Sequence, residues 1–250
     1  FHSPEGDVQE ATATVEYAAG ILHARLDAVL DDTHRVRLAG EATADSSVRT
    51  ITFRTADVDA NAAHWRLTGP SRVRWGRGRI EIANFEARSD SGVARASGVL
   101  ARRGNEDFRC EVRGAGLDIL AAWFGRPDLT GRLDGEFSLV GPATMPRGTG
   151  WMRVAGLVSG EPVGDLGASV AWDGRRLDAH GAFTSPQQDS VVVTVRVPLE
   201  VSAAAPDSGA NRSPVHVVAG DIDLRLLADR FPLHALLPWL PPQTVSALDG

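Results

Sequence analysis

Apolar and polar residues alternate along most of this chain. Leu22, Ala24, Leu26, Ala28 and Leu30 are interleaved with His23, Arg25, Asp27 and Val29, a period of two that predicts a half-buried strand. Asp31-Asp32 reads as a turn, and Val36 to Leu38 as the return before Gly40. Ile51 and Phe53 open another strand, which the polar run Thr55 to Asn61 is expected to end. Trp65 and Leu67 alternate before a turn at Gly69-Pro70; Val73 and Trp75 alternate before a turn at Gly76-Arg77-Gly78. Ile80 and Ile82 follow, with Phe85 and Ala87 expected on the opposite side after a bulge. Ser89 to Gly92 turns again, Val93 to Leu100 is a strand, and Phe108, Cys110 and Val112 alternate with Arg109, Glu111 and Arg113.

The second half repeats this texture. Leu133, Phe137 and Leu139 alternate with Asp134, Glu136 and Ser138, ending at Gly141-Pro142. Strand signals follow at Trp151 to Val154 and at Val170 and Trp172. Asp173-Gly174 is the strongest hairpin signal, and Leu177, Ala179, Gly181 and Phe183 return from it. Val191 to Val197 is a strand with Pro198 at its end or on an edge, residues 202–214 form a loop, and Val215 to Val218, Ile222, Leu224 and Leu226 finish the strands.

Two segments read as short helices, Leu117 to Phe124 and Leu233 to Leu240. With some fourteen strands and no βαβ rhythm, the fold class is all-β. The expectation is an elongated, repetitive antiparallel sheet rather than two closed sandwiches. Leu133-Asp-Gly135 and Leu248-Asp-Gly250 mark a repeat of about 115 residues. The expected organisation is a frayed segment at 1–14 and one continuous β-repeat segment at 15–250, with units near 20–135 and 136–250. The second unit stops where its strand would start, as in a piece of a longer repetitive protein.

Composition narrows the function classes. At 43% hydrophobic and 23% charged, the chain can bury a core. A net charge of −6 gives no basic face for nucleic acid. The single cysteine, Cys110, excludes an internal disulfide and a thiolate-rich metal site. No apolar run reaches the roughly 18–20 residues of a membrane-spanning helix, and residues 1–6 lack the order of a secretory signal. The seven histidines show neither helical nor strand-type metal spacing. No nucleophile elbow or phosphate loop occurs. Asp57-Val-Asp59 and Asp221-Ile-Asp223 read as solvated strand faces. No catalytic residue, metal or cofactor is therefore expected. Arg72, Arg74, Arg77 and Arg79 crowd one hairpin around Trp75, a pattern able to contact anionic headgroups.

Four stretches in order then resemble the TamB/AsmA-like family of bacterial envelope proteins. They are Trp65-Arg-Leu-Thr-Gly-Pro with Val73-Arg-Trp75 and Arg79-Ile-Glu-Ile82; Leu133-Asp-Gly135 with Leu139-Val-Gly141 and Pro146-Arg-Gly148; Trp172 to Leu177 with Val195 to Leu199; and Phe231-Pro-Leu233 with Leu237 to Pro241 and Leu248-Asp-Gly250. The resemblance implies a U-shaped, taco-like β structure, open along one side and apolar within. It implies a non-enzymatic segment of a periplasm-spanning protein that conducts phospholipid acyl chains between inner and outer membranes. A scaffold for outer-membrane β-barrel proteins and autotransporters is the alternative. The parent is expected to have an N-terminal inner-membrane anchor, absent here, and to meet an outer-membrane barrel of the Omp85 type through missing C-terminal parts. A carbohydrate-binding or enzymatic β-repeat would need acids and aromatics clustered on one exposed face, and the sequence displays no such cluster. On the groove reading, the residues lining the trough are Leu22, Leu26, Phe53, Trp65, Trp75, Ile80, Ile82, Phe108, Val112, Phe137, Leu139, Trp172, Leu177, Phe183, Val193, Val195, Val197, Leu224 and Leu226.

Overall fold

The computed structural model describes residues 9–31, 34–45, 47–60, 63–117, 129–201, 215–217 and 220–230. The period-two segments become strands throughout. They are β1 (Glu10–Ala18), β2 (Ile21–Asp31), β3 (His34–Ala44), β4 (Val48–Ala60), β5 (Ala63–Leu67), β6 (Ser71–Gly76), β7 (Arg79–Arg88) and β8 (Val93–Ala101). β9 (Asn105–Gly116), β10 (Leu129–Pro142), β11 (Arg147–Ser159), β12 (Glu161–Trp172), β13 (Arg176–Thr184), β14 (Ser190–Val201), β15 (Val215–Val217) and β16 (Asp223–Asp229) complete the set. All sixteen belong to one sheet, paired antiparallel and almost wholly in chain order. The all-β expectation holds, and no helix occurs among the described residues. The expected helix at Leu117 to Phe124 lies outside them beyond Leu117, as do the one at Leu233 to Leu240, the 202–214 loop and the second Leu-Asp-Gly triplet.

Several local expectations are corrected. Gly69-Pro70 does not reverse the chain. β5 and β6 both run antiparallel to β4, pairing Asp57 with Arg66 and Phe53 with Ser71, so they lie end to end along one line. Thr68, Gly69 and Pro70 interrupt that line without turning it. The polar run from Thr55 does not end β4 either, because Asp57 and Asp59 occupy one face of the strand while Ala56 and Val58 occupy the other. β1 starts at Glu10, within the segment expected to be frayed. The shift between Ile82 and Phe85 brings Phe85 and Ala87 back to the face of Ile82 instead of the opposite one. Residues 155–169, which carry no strong strand signal, complete β11 and begin β12.

Pro198 stands inside β14 rather than at an end, and its environment explains why it is tolerated. Leu199 donates its N–H to Arg175 of the β12–β13 turn (2.8 Å), so the preceding nitrogen faces the other edge. That edge is covered by β16 up to Arg196 and by β15 from Leu199. The missing proline N–H falls in the gap between the two.

Extra residues interrupt the ladders on alternate strands of this stretch: Arg54 on β4, Ala83 and Asn84 on β7, Arg113 and Gly114 on β9, and Ala155 and Gly156 on β11. Each such bulge bends its strand and increases local twist. Burial is modest. Among the described residues nine aliphatic residues and Pro146 are buried, and no phenylalanine or tryptophan is. One buried cluster, Leu133, Val154 and Leu157, packs against Val112, Leu117, Leu129, Val163 and Leu166.

Candidate functional site

Paired residues in a sheet share a face, so the register assigns every strand position to one of two surfaces. One row runs Tyr17, Leu22, Ala42, Ile51, Val73, Ile82, Gly98, Phe108, Leu139, Gly148, Trp172, Leu177 and Val197, each paired with the next across successive strands. No charged side chain interrupts it. Parallel rows repeat the character: Cys110, Phe137, Gly150, Val170, Ala179, Val195 and Leu224; then Val112, Gly135, Met152, Ala168, Gly181, Val193 and Leu226. All nineteen residues named as trough-lining fall on this one face. The bulges preserve this register, returning Phe85 to the apolar face after Ile82. With about 4.8 Å between strands, the long row, one residue from each of thirteen strands, extends about 60 Å along the sheet.

The other face is a lattice of ion pairs. Arg35 meets Asp27 at 2.7 Å, Arg66 meets Asp57 at 3.0 Å, and Arg95 bridges Glu86 (2.8 Å) and Glu111 (3.3 Å). Arg113 meets Glu111 at 2.7 Å and Arg196 meets Asp178 at 3.1 Å. His64 joins Asp59 through Nδ1, and its Nε2 is 3.1 Å from the Arg66 guanidinium. Hydrogen bonds from Arg95 and then Arg88 hold the Glu86 carboxyl below its ordinary range, and Arg113 and Arg95 do the same for Glu111. Trp151, absent from the expected trough lining, also stands on this face, opposite Glu136, with the Arg113 guanidinium 4.8 Å from its ring centroid. Its signal was parity: Trp151 lies one position out of phase with Gly150 and Met152.

Three of the four hairpin arginines share one face, and the fourth sits in the turn. Arg72, Arg74 and Arg79 lie on the charged face, paired with Ala83, Glu81 and Gly76, and Arg79 meets Glu81 at 3.6 Å. Arg77 sits in the turn and donates to Ser47 Oγ at 2.8 Å. Val73 and Trp75 between them point to the apolar face.

Over β10 to β14 the apolar face forms an open concavity of about 470 Å³. Phe137, Met152, Val170, Val193 and Val195 surround the small residues Gly150, Ala168, Ala179 and Gly181. It also touches Glu136, Trp151, Ser169 and His180, whose side chains the register directs to the other face. Phe137 lies against the strand beside it: a Cβ built on Gly150 would stand 3.0 Å from its ring. Cys110, half-buried in the same row, has its thiol pKa pushed up by burial and is poorly suited to act as a nucleophile.

Among the described residues, no three His, Cys, Asp or Glu side chains gather to hold a metal ion. The chain matches no family model, no curated protein and no solved structure. The division into one apolar and one charged face is thus the main physical basis for reading its function.

Proposed function

We propose that this chain is a non-enzymatic segment of a periplasm-spanning protein of the TamB/AsmA-like kind, conducting phospholipid acyl chains between inner and outer membranes. The observation that carries the reading is the uninterrupted apolar row from Tyr17 to Val197. An acyl chain laid on such a face leaves water with a gain of about 0.8 kcal/mol per buried methylene. Because adjoining positions offer the same environment, the chain slides without a deep trap. Headgroups stay in water, because no charged side chain lies in that row to draw them onto the face. On this reading the sheet curls around the apolar face, and the bulges on β4, β7, β9 and β11 supply the bends. Localisation in the envelope, an inner-membrane anchor in the parent and an Omp85-type partner belong to the same proposal.

The test is native mass spectrometry with lipid extraction on the chain purified from cells in mild detergent. Phospholipid should co-purify and should be lost when Phe137 and Leu139 are changed to Asp. A folded, lipid-free wild-type chain would overturn the reading.

A second reading, a scaffold for outer-membrane β-barrel proteins and autotransporters, has one observation in its favour. Among the described residues β1 is paired on one edge only, leaving a strand edge able to accept another strand. Binding of strand peptides without bound lipid would favour it.

A further inference from the structure

Gly181 stands in the middle of β13, paired with Ala168 on one side and Val193 on the other. Its φ lies outside the left-handed region, so the backbone does not require glycine there. A Cβ built on it meets no atom within 4 Å. Several strand-interior glycines elsewhere on this face have a structural reason. A Cβ on Gly98 would collide with the Asp107 carbonyl, and one on Gly150 would press the Phe137 ring. Gly181 has none, and a central-strand glycine weakens its strand. What it provides is empty space at the floor of the concavity, between Ala168 and Val193.

We infer that Gly181 sets the depth of a seat for a single hydrocarbon chain, a specificity-determining position within the proposed acyl path. The inference rests on the acyl-chain reading. The chemistry of the seat selects the occupant. No charged side chain points into it, and β12 and β13 have strand partners on both edges along this stretch. The floor therefore offers no free backbone groups. An extended peptide or a sugar lying there would leave its own polar groups unpaired, at a cost that hydrocarbon does not incur. A volume of about 470 Å³ lies within the range of small-ligand sites, and a valine at position 181 would project three carbons into it.

The experiment titrates the full chain with cis-parinaric acid, following probe fluorescence, for wild type, Gly181→Ala, Gly181→Val and Gly167→Val. Gly167 is the control: it sits on β12 facing the charged side, and its nearest atom to a built Cβ is the Ala182 carbonyl at 3.9 Å. Both valine variants should fold, as judged by far-ultraviolet circular dichroism and urea midpoints. Gly181→Val should bind at least tenfold more weakly, Gly181→Ala should fall between, and Gly167→Val should match wild type. Wild-type binding that survives both Gly181 substitutions would overturn the role of Gly181 and leave the conduit reading standing. A wild-type chain that binds no probe would overturn both.

Discussion

At the scale of single residues, two glycines on the apolar face make opposite predictions. Gly98 has φ of +119° and lies between Ile82 and Phe108, where a Cβ would strike the backbone of β9. Gly98→Ala should destabilise the chain by about 1–3 kcal/mol, the range for a residue held in an unfavourable backbone region. Gly181→Ala should instead stabilise it by about 0.5–1 kcal/mol, because alanine loses less conformational freedom in a strand. Urea unfolding of the two variants beside wild type checks both signs. A pH dependence belongs to this scale too. Glu86 and Glu111 are held below the ordinary value of 4.5 by Arg95, Arg88 and Arg113. A depressed carboxyl contributes stability that is present above its unfolded value and lost as pH falls through its folded one. The urea midpoint at low salt should therefore drop on acidification below about pH 4.5. Arg95→Ala should shrink that drop, since Arg95 touches both carboxylates.

At the scale of strands, Pro198 shows how pairing decides which substitutions matter. Its nitrogen faces the gap between β16 and β15, so Pro198→Ala should change stability by less than about 0.5 kcal/mol. Thr194 sends its N–H the same way but is covered by Arg225 of β16. Thr194→Pro should cost about 1–3 kcal/mol by leaving that partner unsatisfied. Thermal denaturation of the two variants separates them. Strand existence and facing were legible in the sequence because alternation encodes both, as Leu177, Ala179, Gly181 and Phe183 illustrate. Interruptions were less so. Gly69-Pro70 has the composition of a hairpin turn, and only the pairing of Asp57 with Arg66 and of Phe53 with Ser71 shows the line continuing. The concavity was hidden because it is made by what Gly150, Ala168 and Gly181 lack, and a search for large apolar residues passes over small ones.

At the scale of the molecule, one face presents mostly apolar side chains and the other a mesh of opposite charges, with few side chains deeply buried among the described residues. Phe137 is 36% exposed and Leu224 65%, values unlike those of a closed sandwich core. The native chain should thus bind 1-anilinonaphthalene-8-sulfonate without denaturant, and palmitate should compete for it. A native state that leaves the dye dark would argue for a covered face.

Because strands pair almost wholly in chain order, most contacts span only one or two turns of chain. Even the turns at one end touch in sequence, Arg102 donating to Gly78 (2.7 Å) and Ala143 to Gly104 (2.8 Å). Such a chain need not gather distant segments before its pairing is rewarded, so loop-closure entropy stays low. Folding can start at any strong hairpin, such as the one at Asp173, and spread outward one strand at a time. A polypeptide emerging end-first from a narrow channel could thus fold as it arrives, each new strand finding its template already in place.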